Sequence, residues 1–214
     1  MQMGNVDRPA ASIGRQPLTT RAALSHIALE LFIERGFEQT TVDDVARTAG
    51  IGRRTLFRYF PSKNDLPWGD FDAELGRMRA FLAATEETVS LVDALTRAVV
   101  EFNRFPPEEI PFHHERMNLL LNVPALVAHS TLRYSEWRRV VSDFAALRLG
   151  TAPDAIEPNA IGWVCLGASL AAYEQWLKDD NSDLIELLES SFLLLRRVFS
   201  APQSAPVLGD TEHD

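Results

Sequence analysis

Apolar residues recur along this chain with the spacing of helices rather than strands. Over 20–36, Leu24, Ile27, Ala28, Leu31 and Phe32 fall at i, i+3, i+4, i+7 and i+8, the stripe of a helix with one buried face, and Gly36 ends it. A short second helix opens at Thr41, with Asp44 three residues on as a capping-box partner, and closes at Gly50 with Val42, Val45, Ala46 and Ala49 on its apolar side. A third spans about 52–59 and stops before Pro61, after which Ser62 and Asp65 signal the start of a fourth.

Helical periodicity then continues over 65–84, 91–105, 109–122, 124–149, 158–179 and 183–199. Prolines 106, 107, 111, 124, 153 and 158 fall between these segments or at their starts, where a missing N–H costs least. No stretch alternates with period two between hairpin turns. The expectation is an all-α fold of about nine helices. Residues 1–18 read as a flexible arm, 19–64 as a three-helix head, 65–200 as a helical body and 201–214 as a disordered, acidic tail.

The stretch 37–65, FEQTTVDDVARTAGIGRRTLFRYFPSKND, changes the picture from architecture to chemistry. A helix-turn-helix requires a small residue where its helices cross, a glycine in the turn, and apolar residues that fix the second helix steeply against the first. Ala46, Gly50 and the set Val45, Ala49, Ile51, Leu56 and Tyr59 meet those requirements together. The second helix of the pair carries Arg53, Arg54, Thr55 and Arg58. An Arg guanidinium can pair bidentately with guanine O6 and N7 or with phosphate, and Thr can meet a base edge or a thymine methyl. The helix starts at Thr41 and Ser62, the latter followed by Lys63, present N–H groups suited to phosphate. A solvated basic face is the bland alternative, but it does not account for the complete pattern around the arginines.

The run TTVDDVARTAGIGRRTLFRYFPSKNDL resembles the DNA-binding segment of the TetR family of transcriptional regulators, specifically across residues 20–66. The longer run GIGRRTLFRYFPSKNDLPWGDFD further resembles regulators associated with mycofactocin gene clusters in actinobacteria. The resemblance implies a homodimer whose first three helices bind DNA. The remaining helices would hold a small ligand that moves the two heads apart. It also implies roles for individual residues. Thr40 and Thr41 match phosphate-contacting positions, and Gly52, Arg53, Arg54 and Thr55 match the base-facing start of the recognition helix. Phe57, Arg58 and Tyr59 match its groove and backbone contacts, and Lys63 a further phosphate contact. Position 57 is often Tyr in the family, so Phe57 lacks a hydroxyl expected there. A dimer would read a roughly palindromic operator on double-stranded DNA.

The later helices bear on ligand and partner. Helix 158–179 mixes small residues with bulky ones, and 183–199 is heavily apolar, more than one monomer needs to bury; with the resemblance, this points to a homodimer seam through the last two helices. Phe102, Phe105, Met117, Trp137, Phe144 and Trp163, with Arg116 and Arg133 as polar members, are the candidate ligand-binding residues. Their apolar bias suggests a small hydrophobic effector with a polar or anionic head, such as an acyl-CoA, which some members of the family bind.

Charge first opposes nucleic acid and then, divided, supports it. The 214 residues carry a net charge of −9. Residues 1–63 hold nine Lys and Arg against six Asp and Glu, and 64–214 hold twelve against twenty-four, so contact with a polyanion is confined to the first part. A single cysteine, Cys165, excludes an internal disulfide and reads as an inert core thiol. No apolar run reaches the ~18 residues of a membrane span and no signal-peptide core opens the chain, so the expected location is the cytoplasm. His113, His114 and Glu115 are adjacent rather than i, i+4, which does not make a metal site, and no GxSxG, P-loop or GxGxxG run occurs. The expectation is therefore a regulator without enzymatic activity, cofactor or metal. The competing reading is a helical ligand carrier or protein-interaction module that does not bind DNA.

Overall fold

The computed structural model describes residues 20–179 and 181–200; the N-terminal arm and the acidic tail expected above lie outside the described residues. Among the described residues there are nine α-helices, two short 3-10 helices and no strand, an all-α fold. The chain divides into two compact units, one ending at Gly69 and one beginning at Asp70.

In the first unit, helix α1 (Arg21–Arg35) starts where the Thr20 hydroxyl accepts the N–H of Ala23 at 3.1 Å. Leu24, Ala28, Leu29, Leu31 and Phe32 are buried along it, while Ile27 is half-buried at the edge of that face. Helix α2 (Val42–Thr48) carries the expected capping box: Thr41 accepts from the Asp44 N–H, and the Asp44 carboxylate accepts from the Thr41 N–H. Two bonds close its end, Ile51 N–H to Ala46 carbonyl at 3.0 Å and Gly50 N–H to Arg47 carbonyl at 3.1 Å. This closure requires the left-handed backbone of Gly50, at φ 67°, which a side chain would strain. Helix α3 (Arg53–Tyr59) follows directly and anchors itself through Leu56, with Phe60 buried just beyond it.

The sequence reading joined Ser62–Asp65 to one helix running to 84. Instead, Lys63–Trp68 form a 3-10 helix that packs on α1, and the α-helix resumes only at Phe71. Pro67 has no N–H to continue the ladder, and Gly69 turns the chain at φ 59°. Leu66, Pro67 and Trp68 are buried, which is why this segment belongs with α1.

The second unit contains α4 (Phe71–Ala83), α5 (Leu91–Phe102), a 3-10 turn (Pro107–Glu109), α6 (Ile110–Asn122), α7 (Pro124–Leu149), α8 (Ile156–Trp176) and α9 (Leu184–Ser200). Helix α7 is the hub, packed on α4, α5, α6 and α8, and α9 lies against α8 and α5. Proline starts α7, where an N–H is dispensable, and Gly150 ends it in the left-handed region. Helix α8 approaches α7 closely at Gly162, where an added Cβ would stand 2.5 Å from Ser142 Oγ and 3.3 Å from the Arg138 carbonyl oxygen. Gly162→Val is therefore expected to push α7 and α8 apart and cost about 1–3 kcal/mol of stability, read as a lower denaturation midpoint.

Candidate nucleic-acid interface

The face built by α2 and α3 carries most of the residues singled out for DNA. Gly52, Arg53, Arg54, Phe57 and Arg58 are exposed, and Thr55 and Tyr59 are half-buried. Leu56 alone among the residues of α3 is buried, so this one-sided helix holds on by Leu56 and presents the rest outward.

The three arginines are not equivalent. Arg53 Nη1 lies 3.1 Å from Asp43 Oδ2 on α2, and its guanidinium sits over the Phe57 ring, 5.4 Å from the centroid. Phe57 thus serves as a stacking platform for Arg53. Arg54 and Arg58 have no carboxylate partner among the described residues, so their charge is available to an incoming anion. Asp43 was missed in the sequence. Its role depends on how α2 and α3 cross, and no local motif reports that.

Two expectations need correction. Thr40 is 1% exposed, and its one hydroxyl proton is shared between the Leu31 and Gly36 carbonyls at 3.2 and 2.9 Å. It ties the α1–α2 connection together and has no hydroxyl proton left for phosphate. The start of α2 is also less inviting to an anion than its free N–H groups suggested. Asp44 takes the Thr41 N–H, and Asp43 adds a second carboxylate in the first turn. The Thr41 hydroxyl, its backbone N–H and Arg47 hold the Asp44 carboxyl down to about 2, so it is ionised at any working pH. Ser62 spends its N–H and hydroxyl on Asp65 in the same way, at 3.0 and 2.7 Å.

Lys63 remains. Its ammonium lies 4.1 Å from the centroid of Phe37, and partial burial lowers its pKa while Glu38 counters. Lys63→Ala is expected to weaken binding to all DNA sequences alike and to reduce the salt slope of affinity by about one phosphate, measured as log affinity against log salt concentration.

In the second unit the candidate ligand residues fall into separate groups. Phe102 meets Trp137 edge-on at 6.4 Å and Phe71 at 6.1 Å, and Arg133 lies over Phe71 at 5.9 Å while pairing with Asp72 and Glu136. Phe105 stacks on His113 at 4.1 Å, and Arg116 buries its Nε on the same helix as that histidine. Met117 and Phe144 are buried, with Arg148 over the Phe144 ring. Trp163 does not join them: it is 58% exposed and covered by Arg138 at 3.6 Å, on an outer stripe of α8 with Ile156 and Val164. Helical phase places it there, because Gly162, one residue earlier, is the position turned toward α7. A surface groove of about 560 Å³ between α4 and α7, lined by Leu75, Arg79, Leu132 and Arg139 among others, includes only one of the candidates' ion-pair partners beside Asp72, namely Glu136, and none of the candidates themselves. Cys165 is buried, and burial pushes its thiol up to about 12, which keeps it protonated and unreactive.

Comparison with known proteins gives two family matches. The model for bacterial regulatory proteins of the tetR family matches residues 26–66, and the model for the MftR C-terminal domain matches residues 89–200. A protein of Mycobacterium tuberculosis named as a mycofactocin biosynthesis transcriptional regulator, MftR, is 42% identical over 84% of this chain and 91% of its own length. Among solved structures, FadR of Thermus thermophilus, a TetR-family repressor in complex with lauroyl-CoA, is 22% identical. It aligns over 88% of this chain and 99% of its own, with a TM-score of 0.56. FadR of Bacillus subtilis, in complex with stearoyl-CoA, is 17% identical over 80% and 95%, with a TM-score of 0.55. At those identities the two structures speak for the fold.

Proposed function

The chain belongs to the TetR family of bacterial regulatory proteins, and we propose that this member, a ligand-responsive DNA-binding transcriptional regulator, is a homodimeric repressor released from a palindromic operator by a hydrophobic effector. The observation that carries the DNA reading is the outward face of α3. Arg54 and Arg58 stand exposed there without carboxylate partners, on a helix fixed by the two-bond closure at Gly50. A carrier or interaction module would have no use for a pair of unneutralised guanidiniums on the second helix of a helix-turn-helix.

Dimerisation is supported by the outer stripe of α8, where Ile156, Trp163 and Val164 are exposed along with Ala160, Gly167 and Ala171, and by exposed Leu193 and Leu194 on α9. Apolar side chains in that density on two packed helices call for a cover, and a second copy supplies an identical one. The effector class is an acyl-CoA-like molecule. The aromatic and methionine side chains of the second unit support it, as does the fold shared with proteins solved with acyl-CoAs. The similarity to MftR, named as a regulator of mycofactocin biosynthesis, supports genes of that biosynthesis as the regulated set.

The test is fluorescence anisotropy with labelled DNA from the protein's own promoter. Specific binding is expected at physiological salt, with release on adding decanoyl-CoA. Affinity no better than for unrelated DNA would favour the carrier reading, and retention unaffected by decanoyl-CoA would remove the effector class.

A further inference from the structure

Three side chains remote in sequence form a buried hydrogen-bonded chain in the second unit. Asn103, just after α5, donates from Nδ2 to the Val99 carbonyl at 2.7 Å, which leaves its Oδ1 as the acceptor. Tyr173 on α8 donates its hydroxyl proton to that Oδ1. A phenol has one proton, so His113 on α6, whose Nε2 lies 2.9 Å from the same phenolic oxygen, has to donate to it. The ring is therefore the Nε2–H tautomer, and Nδ1 carries a bare lone pair. Burial, with the Arg116 and His114 charges adding, depresses the His113 pKa to about 3 and keeps the ring neutral.

His113 is 6% exposed, and Nδ1 is buried with no hydrogen-bond partner. Arg116, three residues along α6, buries its Nε, also without a partner. Residues at i and i+3 share a helix face, so a bare acceptor and an unused donor belong to one face of α6. Phe105 stacks on the imidazole at 4.1 Å and Trp176 lies 5.7 Å from it, giving the ring apolar walls. Buried polar atoms are nearly always paired, and leaving them unpaired is costly, so this pair calls for a group that satisfies both.

Building on the effector reading above, we propose that His113 Nδ1 and Arg116 Nε form the polar end of the effector site and take a carboxamide. The amide N–H donates to His113 and the amide carbonyl accepts from Arg116. A carboxylate would set its lone pairs against that of Nδ1, and an ester or thioester carbonyl would serve Arg116 alone. An acyl-CoA carries such amides in its pantetheine arm, near the thioester.

The test is calorimetric titration of the full-length protein with decanamide, decanoate and methyl decanoate, which share one alkyl chain. Decanamide is expected to bind about tenfold tighter than either of the others. Tyr173→Phe keeps the ring but frees the tautomer, so Nδ1 gains the option of donating. The preference should then shift to decanoate, an inversion that a packing role for Tyr173 would not produce. In the unaltered protein with ¹⁵N-labelled histidine, the His113 Nδ1 resonance should move from a bare to a hydrogen-bonded position on adding decanamide. Equal affinities, an unmoved Nδ1 resonance, or no binding by any of the three overturns the subsite. The effector reading fails separately, if decanoyl-CoA leaves DNA retention unchanged.

Discussion

Arg54→Ala is expected to remove sequence-specific DNA binding while leaving the fold intact. Arg54 is exposed, lies in the first turn of α3, and has no carboxylate neighbour among the described residues. Its charge therefore goes to DNA without first leaving a partner. A bidentate Arg–guanine pair contributes about 1–3 kcal/mol of discrimination, so affinity for the operator should fall by between about 5-fold and 150-fold. Arg54→Lys should recover the electrostatic part but not the specificity, because an ammonium lacks the planar fork. Arg53 starts from a different state, engaged with Asp43 and stacked on Phe57. Both members of that ion pair are well exposed, so the pairing is worth little in energy; its effect is on direction. Anisotropy against operator and scrambled DNA, with circular dichroism as the folding control, checks the result. An Arg54→Ala protein with undiminished preference for operator would sink the assignment of base readout to this residue.

What could be read in the sequence was what depends on neighbours along the chain. The Thr41–Asp44 capping box, the Gly50 stop and the proline at the start of α7 are local devices, and each is found where its residue types demand. The break at Pro67 and Gly69 was equally local, but strong apolar periodicity on either side hid it. Features that depend on two helices meeting were not legible. Thr40 has a surface residue's chemistry, yet its two acceptors, the Leu31 and Gly36 carbonyls, hold it inside the fold. Trp163 looked like pocket lining because it is aromatic, whereas its phase on α8 relative to Gly162 turns it outward. Asn103 follows α5, His113 lies on α6 and Tyr173 on α8, and no spacing rule joins positions so far apart.

Leu194→Glu is expected to turn the dimer into a monomer and, by doing so, to disable operator binding with every DNA-facing residue untouched. Leu194 is 60% exposed on α9 beside Leu193, so the substitution removes little packing within one chain and should leave helical content unchanged. In a two-fold interface the change occurs twice. Two carboxylates would enter an apolar seam with no partner, where burying an unpaired charge is prohibitive. Separation then costs DNA affinity through geometry. A dimer that has engaged one half-site presents its second head at a high effective concentration, and a monomer does not, so affinity for the palindrome should drop by about a hundredfold or more. Binding to an isolated half-site should change little, which separates this effect from damage to α3. Sedimentation or light scattering gives the oligomeric state, and anisotropy on whole and half operators gives the rest. A Leu194→Glu protein that stays dimeric would move the seam away from this face of α9, and Trp163→Glu on α8 would then test whether α8 alone carries it.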